Sequence, residues 1–255
     1  MRVDSCACAA LPCLLARRRF FVDRIHDNLA ELTGDGARHL ARVLRAEPGQ
    51  RYEISDNQRA YLAEIAAITA QRVTFAMIEP LPAPPPQPEI TLYAALIKFD
   101  RFEWIVEKAT ELGVSRLVPV NAERSEKGLA AAATKRIDRW RKIARESGQQ
   151  SRRLRLPEIS PAELLAIALA DASPLRLFLD EQPGAPMLLQ ALASRDGQDA
   201  VAILTGPEGG WTDRERAAAL AAGWKPVSLG TQILRAETAA IAALAVLSQA
   251  CHIPS

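Results

Sequence analysis

The chain offers almost nothing to a metal ion, a histidine nucleophile or a membrane. Its four cysteines, Cys6, Cys8, Cys13 and Cys251, form no spaced pairs and have no neighbouring histidine that completes a tetrahedral site. No metal is therefore expected, and a reduced, cytoplasmic setting fits best. His26, His39 and His252 stand apart from any serine or cysteine in a recognisable nucleophilic arrangement. The only long apolar run, Ala236 to Cys251, falls short of the ~20 residues that cross a bilayer and reads as a buried helix. Near the start, the apolar stretch around Leu11 to Leu15 is short, holds Pro12 and has its arginines behind it, which is neither a signal peptide nor a span. Residues 1–17 are expected to be a disordered extension. Internal repeats are lacking as well.

What is present suits a globular protein. With 255 residues, 49% hydrophobic and 24% charged, the chain can bury a core as one large domain or two modest ones. The net charge of +2 is too small to argue for a polyanion partner, so any such case rests on where the charge sits. Between Thr134 and Arg155 nine cations face only Asp138 and Glu146. Such a run can be a solvated helix face. Its nearly pure sign, without opposite charges at four-residue spacing, and the continuation into Arg152, Arg153 and Arg155 favour a phosphate backbone. Arg17, Arg18 and Arg19, ahead of Phe20-Phe21-Val22, form a second cationic spot.

Pro80, Pro82, Pro84, Pro85, Pro86 and Pro88 mark a domain boundary, because a stretch so poor in amide donors can hardly join a ladder or a helix. Residues 81–88 read as a linker. Ahead of it, 18–80 reads as a small, mainly β domain, with strands over Arg51 to Ser55, Ala60 to Ile68 and Arg72 to Ile78 and one helix around Gly36 to Arg45. Behind it, in 89–255, strand-like runs at Ile90 to Ile97, Arg116 to Val120, Leu175 to Leu179, Ala200 to Thr205 and Pro226 to Leu229 alternate with helical segments. Alternation of that kind predicts an α/β domain with a parallel sheet covered on both faces. Phe102, Ile105, Val106, Ala109 and Leu112 share one face of a helix that stops at Gly113. Thr212 and Glu215 make a capping box, with Gly223 placed to close that helix, and the apolar last helix should be enclosed by the sheet, a second subunit or both.

Two glycine-bearing segments follow strand-like runs: Gly206-Pro207-Glu208-Gly209-Gly210, and Leu229-Gly230 continuing through Ile233-Leu234-Arg235-Ala236-Glu237. The first is no Walker loop, for no Gly-Lys-Ser/Thr follows, and no dinucleotide fingerprint, whose third glycine is missing. By itself it can be a tight turn. Ahead of a capped helix it can also present backbone amides to a ligand, and its glycines would let the backbone come close to a nucleotide-like cofactor. Arg235 and Glu237 can be a solvated helix end; in front of a buried helix, beside a glycine turn, they are better read as reaching into a pocket.

These pieces, together with Arg19-Phe20-Phe21-Val22, His39-Leu40 through Val43-Leu44-Arg45, Lys108 to Val114, Arg124-Ser125 and Gln150 to Pro157, resemble the RsmE family, the 16S ribosomal RNA uridine N3 methyltransferases of the SPOUT superfamily. The match runs in order from Arg18 onward. It departs at Asp56-Asn57-Gln58-Arg59, where the family usually has a glycine turn, and at Gln149-Gln150, commonly Glu-Gln, which puts Gln149 in doubt as an RNA contact. The resemblance implies a PUA-like RNA-binding β-barrel over 18–80 and a SPOUT-type domain over 89–255 with a deep trefoil knot, where patterning by itself describes an open doubly wound sheet. It also implies a homodimer acting on 16S ribosomal RNA or the small subunit. S-adenosylmethionine would be held by Leu204, Thr205, Gly206, Pro207, Glu208, Gly209, Leu229, Gly230, Ile233, Leu234 and Arg235. Arg235 and Glu237 are the catalytic candidates, and Arg18, Arg19, Arg124, Arg152, Arg153 and Arg155 the candidate RNA contacts. Methylation of another RNA or of a ribose 2′-hydroxyl, or a silent RNA-binding or assembly role, stays open on chemical grounds.

Overall fold

The computed structural model describes residues 18–193 and 200–252, so the extension expected over 1–17 lies outside the described residues. The chain divides into two compact units, meeting in sequence at Leu81 and Pro82.

The first unit contains β1 (Arg19–Phe21), β2 (Arg24–His26), β3 (Leu29–Thr33), α1 (Gly34–Arg38), β4 (Arg51–Ser55), β5 (Ala60–Ile68) and β6 (Arg72–Pro80). One sheet runs β1-β4-β5-β6-β3-β2, antiparallel except where β1 meets β4. Its two outer strands are consecutive in the chain, and the residues between them stitch the edges together. Val22 N–H donates to Ser55 of β4 at 2.9 Å and Asp23 N–H to Glu31 of β3 at 2.8 Å. The sheet thus curls until its margins meet, which removes the exposed edges an open sheet would leave. Inside lie Phe20, Leu32, Leu40, Ile54, Ile65, Val73 and Phe75. The helix expected over Gly36 to Arg45 forms as α1 followed by a π-helical turn, His39–Val43, with Arg45 two residues beyond it at φ +49°. The Asp56 to Arg59 turn works without glycine: Asn57 takes φ +69°, and Asp56 Oδ1 accepts the amides of Gln58 and Arg59. Pro80 corrects the expected strand limit at Ile78, since it lies opposite Tyr61 as the last residue of β6, beyond the residues of β6 that pair with β3.

The second unit begins with β7 (Ile90–Ala95), α2 (Phe99–Glu111), β8 (Arg116–Asn121), α3 (Leu129–Ala133) and α4 (Ile137–Gln150). It continues with β9 (Glu158–Ile159), β10 (Glu163–Leu164), α5 (Leu165–Ala168), β11 (Leu175–Leu179) and α6 (Leu188–Leu192). It ends with β12 (Val201–Thr205), α7 (Asp213–Ala221), β13 (Lys225–Val227) and α8 (Ala236–His252). The strand order is β10-β8-β7-β12-β11-β13, with β9 beside β8, and every pairing is parallel.

Alternate residues of each strand feed two cores, as parallel strands buried on both faces require. Ile90, Leu92, Leu117, Val201 and Ile203 face Phe102, Ile105, Trp140, Leu188, Ala240, Leu244 and Leu247. Tyr93, Val118, Phe178, Ala202 and Leu204 face Ala168, Trp211, Ala219 and Trp224. The expected stripe on α2 is buried at Phe102, Ile105, Val106 and Ala109. Gly113, at φ +95°, closes that helix: Val114 N–H bonds to the Ala109 carbonyl and Gly113 N–H to that of Thr110. Gly223 does the same for α7 at φ +82°, carrying Trp224 into the core. In α8, Ala240, Ala243, Leu244 and Leu247 are buried, whereas Ile241, Ala242, Ala245 and Val246 are only half-buried within this chain. No described helix is long and apolar enough to cross a membrane.

Candidate active site

Because all strands of the second sheet are parallel, the segments that leave β12 and β13 emerge at the same margin, separated only by β11. Carboxyl ends of parallel strands are where open α/β sheets bind ligands. The two glycine turns predicted from sequence occupy this margin.

The first turn is held by other parts of the protein. Pro207 accepts the Gly210 amide at 2.9 Å. Arg124 Nη1 donates to the Gly209 carbonyl at 2.8 Å and approaches that of Trp211 at 3.4 Å. The Trp211 indole in turn donates to Leu179 at the end of β11, at 2.9 Å. These contacts give the glycines a role within the protein besides the one expected toward a ligand. A Cβ on Gly206 would sit 3.1 Å from the Trp211 ring, one on Gly209 3.3 Å from Arg124 Cβ, and one on Gly210 2.7 Å from a Glu181 carboxylate oxygen. Their bare faces admit the protein's own side chains. The start of α7 is likewise self-satisfied, with Thr212 Oγ1 accepting the Glu215 amide and Glu215 accepting from Thr212 and from the Glu123 amide. The side chains of Leu204 and Thr205 are buried, which leaves only their backbone groups to a ligand.

The second turn is open. Ser228 is locked beside the segment leading into α6, its amide donating to Pro186 at 2.8 Å and its carbonyl accepting from Leu188 at 2.9 Å. Its hydroxyl then accepts the Gly230 amide at 3.1 Å. Gly230 takes φ +129° with nothing within 4 Å of a would-be Cβ, so here only the backbone conformation demands glycine. Ile233 is 86% exposed, apolar surface with no protein cover, while Leu229 and Leu234 are half-buried.

Arg235 directly precedes α8 and its carbonyl accepts the Ala239 amide at 2.8 Å. That is a cap position where Ser, Thr, Asp or Asn is favoured and a cation opposes the helix dipole. Its exposed guanidinium stands there against local preference, so helix capping does not account for it. Glu237, in the first turn of α8, is 5% exposed, and its Oε2 is buried without a hydrogen-bond partner. A carboxylate oxygen in that state is costly unless a donor arrives. Arg101, in the first turn of α2, connects the two segments: its Nη1 bonds to Glu208 and its Nε lies 3.9 Å from Glu237 Oε1. Sequence reasoning missed Arg101. Nothing local reveals it, since both partners lie far along the chain; its place on the polar side of α2, next to buried Phe102, was the only hint.

The cationic candidates divide. Arg18 is exposed and contacts His39 Nε2 at 3.2 Å. Arg19, expected on an RNA face, is turned inward instead: its guanidinium reaches Glu53 at 2.9 and 3.1 Å, with side-chain exposures of 14% and 6%. Arg153 is likewise corrected to an internal role. It donates to the carbonyls of Thr110 at 2.9 Å and Gly113 at 3.4 Å, capping the end of α2, and burial pushes its guanidinium down to about 10. Arg155 is exposed, and Arg152 is half-buried at φ +55° at the end of α4. Arg136, just ahead of α4, and Arg139 on it find the opposite charge that the local sequence withholds, in Glu103 of α2. Gln149 is buried and so withdrawn from any surface. Among the described residues no cluster of His, Cys, Asp and Glu could hold a metal ion.

Residues 84–248 match the family model of an RNA methyltransferase domain, and 32–78 that of an RNA methyltransferase PUA domain. The ribosomal RNA small subunit methyltransferase E of Synechocystis sp. is 35% identical over 234 residues, 89% of this chain and 75% of its own length. That of Bacillus subtilis is 28% identical over 251 residues, 91% of this chain and 96% of its own. The crystal structure of the Neisseria gonorrhoeae enzyme of that name, bound to S-adenosyl methionine, superposes with a TM-score of 0.81 at 27% identity, covering 92% of this chain and 98% of its own. The chain therefore belongs to the ribosomal RNA small subunit methyltransferase E family, with a PUA-like first domain and an α/β methyltransferase second domain.

Proposed function

We propose that the protein methylates N3 of a uridine in small-subunit ribosomal RNA, using S-adenosylmethionine. One observation carries this reading: the open turn of Gly230 and Ile233 and the partnerless Glu237 oxygen lie at the carboxyl margin of the parallel sheet, tied by Arg101 to the first glycine turn. The residues present fit the cofactor. Ile233 supplies apolar cover for a flat base, Gly230 leaves its backbone approachable, and Glu237 Oε2 accepts a hydrogen bond. When bound there, the cofactor supplies an activated methyl group on a sulfonium.

The residues of the chain have the remaining work. Uridine N3 carries a proton and becomes nucleophilic only when that proton leaves, so the site must orient the base and help with one proton transfer. Arg235, exposed beside the turn, stabilises the uracil anion through a carbonyl oxygen or fixes the target phosphate. Glu237 Oε2, buried and without a partner, is the group assigned to accept the proton or to hold Arg235. The base leaves its stack to reach them. Arg18 in the first domain, and Arg124, Arg152 and Arg155 in the second, supply contacts to phosphate.

The protein works in the cytoplasm, and as a homodimer; the half-buried apolar Ile241, Ala242, Ala245 and Val246 of α8 support the dimer. The last helix passes through a trefoil knot, supported by the bonds of Ser228 to Pro186 and Leu188 beside the final turn. Titration calorimetry with S-adenosylmethionine tests the central reading. Micromolar binding by the parent and by Arg235→Ala, with methylation of small-subunit RNA lost only in the variant, supports it; absence of binding by the parent points to a silent RNA-binding protein.

A further inference from the structure

Resting on that reading of the site, we propose that Arg101 is a positioning residue: it holds the Gly206–Gly210 turn and the start of α8 at one separation and thereby aims Glu237. Its own place is fixed. α2 is anchored by Phe102, Ile105 and Val106 in the core, and the Arg101 amide bonds to the Lys98 carbonyl at 3.1 Å. From this frame one guanidinium reaches Glu208 with Nη1 and Glu237 with Nε.

The arrangement gives each contact a task. The first turn is held from outside by Arg124 on the Gly209 carbonyl and by Arg101 on the Glu208 carboxylate. Only the second of these also touches the other turn. Glu208 and Glu237 are like charges near one cation; without Arg101 they repel, and the repulsion acts between the two segments that carry them. The fork geometry of arginine serves two carboxylates from different nitrogens, which the single ammonium of lysine reproduces only in part. With Oε1 on Arg101, Glu237 keeps Oε2 for the ligand.

The test is a double-mutant cycle on Arg101→Ala and Glu208→Gln in the full chain, with Arg101→Lys as the conservative variant. Binding of S-adenosylmethionine is read by calorimetry, kcat and KM for RNA by methyl transfer, and folding by thermal melting. Arg101→Ala is expected to weaken cofactor binding roughly tenfold and to lower kcat more than it raises KM for RNA. Arg101→Lys should recover part of both losses. The combined variant should bind the cofactor no more weakly than Arg101→Ala alone, because the Glu208 contact acts through Arg101. Unchanged cofactor affinity in Arg101→Ala, or additive losses in the cycle, would overturn the inference while leaving the methyltransferase reading intact. A merely structural residue would lower the melting temperature without that coupling. If Arg101→Ala fails to fold, Arg101→Lys and Glu208→Gln carry the same comparison. A parent protein that binds no S-adenosylmethionine would overturn the functional reading and this inference together.

Discussion

Arg153 donates a hydrogen bond to the Thr110 carbonyl at 2.9 Å, joining the segment after α4 to the end of α2. A cation from the most basic stretch of the chain is thereby a helix cap. Arg153→Ala should destabilise the second domain by about 1.5–3 kcal/mol, the range for hydrogen bonds from a charged donor. Arg155→Ala, exposed, should leave stability unchanged and reduce the salt slope of RNA binding by roughly one. Chemical denaturation and RNA titration at several salt concentrations separate the two; equal effects on both readouts would contradict this division.

Arg152 closes α4 at φ +55°, where Arg153 N–H bonds to the Gly148 carbonyl at 2.9 Å. Glycine is the natural occupant of that left-handed position, and a larger residue held there costs on the order of 1 kcal/mol. Arg152→Gly should therefore relieve that backbone strain while binding RNA more weakly. Unchanged RNA affinity would remove Arg152 from the proposed interface.

The glycines of the two turns should respond differently to alanine. Gly206→Ala brings a methyl group within 3.1 Å of the Trp211 ring, so the expected loss is about 1–3 kcal/mol from overpacking. Gly230→Ala meets no neighbour and pays only for φ +129°, so its stability loss follows the backbone alone. Trp211→Ala in the Gly206→Ala background distinguishes them: it should absorb the first defect, as seen in a double-mutant cycle of melting temperatures, and have no bearing on the second.

Tyr93 predicts an alkaline instability. Its hydroxyl donates to Asp171 at 2.8 Å, and burial, followed by that carboxylate, raises its pKa well above the ordinary 10.0. The folded state thus keeps a proton that the unfolded chain loses, so stability falls as pH rises past the ordinary tyrosine value. Tyr93→Phe should flatten this fall, measured as melting temperature between neutral and alkaline pH. An identical slope in the variant would assign the effect elsewhere.

Much of this architecture was legible in the residues themselves. β4, β5 and β11 have the expected limits, because alternating or continuous apolar runs bounded by turn residues encode a strand locally. The same holds for the stripe on α2 and the Thr212 cap. Two-residue β9 and β10 were not legible, being too short to show a period. The π turn at His39 escaped because a helical pattern does not distinguish one bonding step from the next. Both glycine turns could be placed at strand ends, but which of them stays open depended on Trp211, Arg124 and Glu181 filling the space at the first. Charge in sequence does not give direction in space. Arg19 and Arg153 point inward to Glu53 and to the end of α2, and Arg101 joins two segments that only the fold brings together.

The central claim is tested most directly by nucleoside mass spectrometry of small-subunit RNA from cells lacking this protein. The account predicts that N3-methyluridine disappears from that RNA, returns with the parent chain and stays absent with Arg235→Ala. An undiminished N3-methyluridine signal, or loss of a different methylated nucleoside, would contradict it.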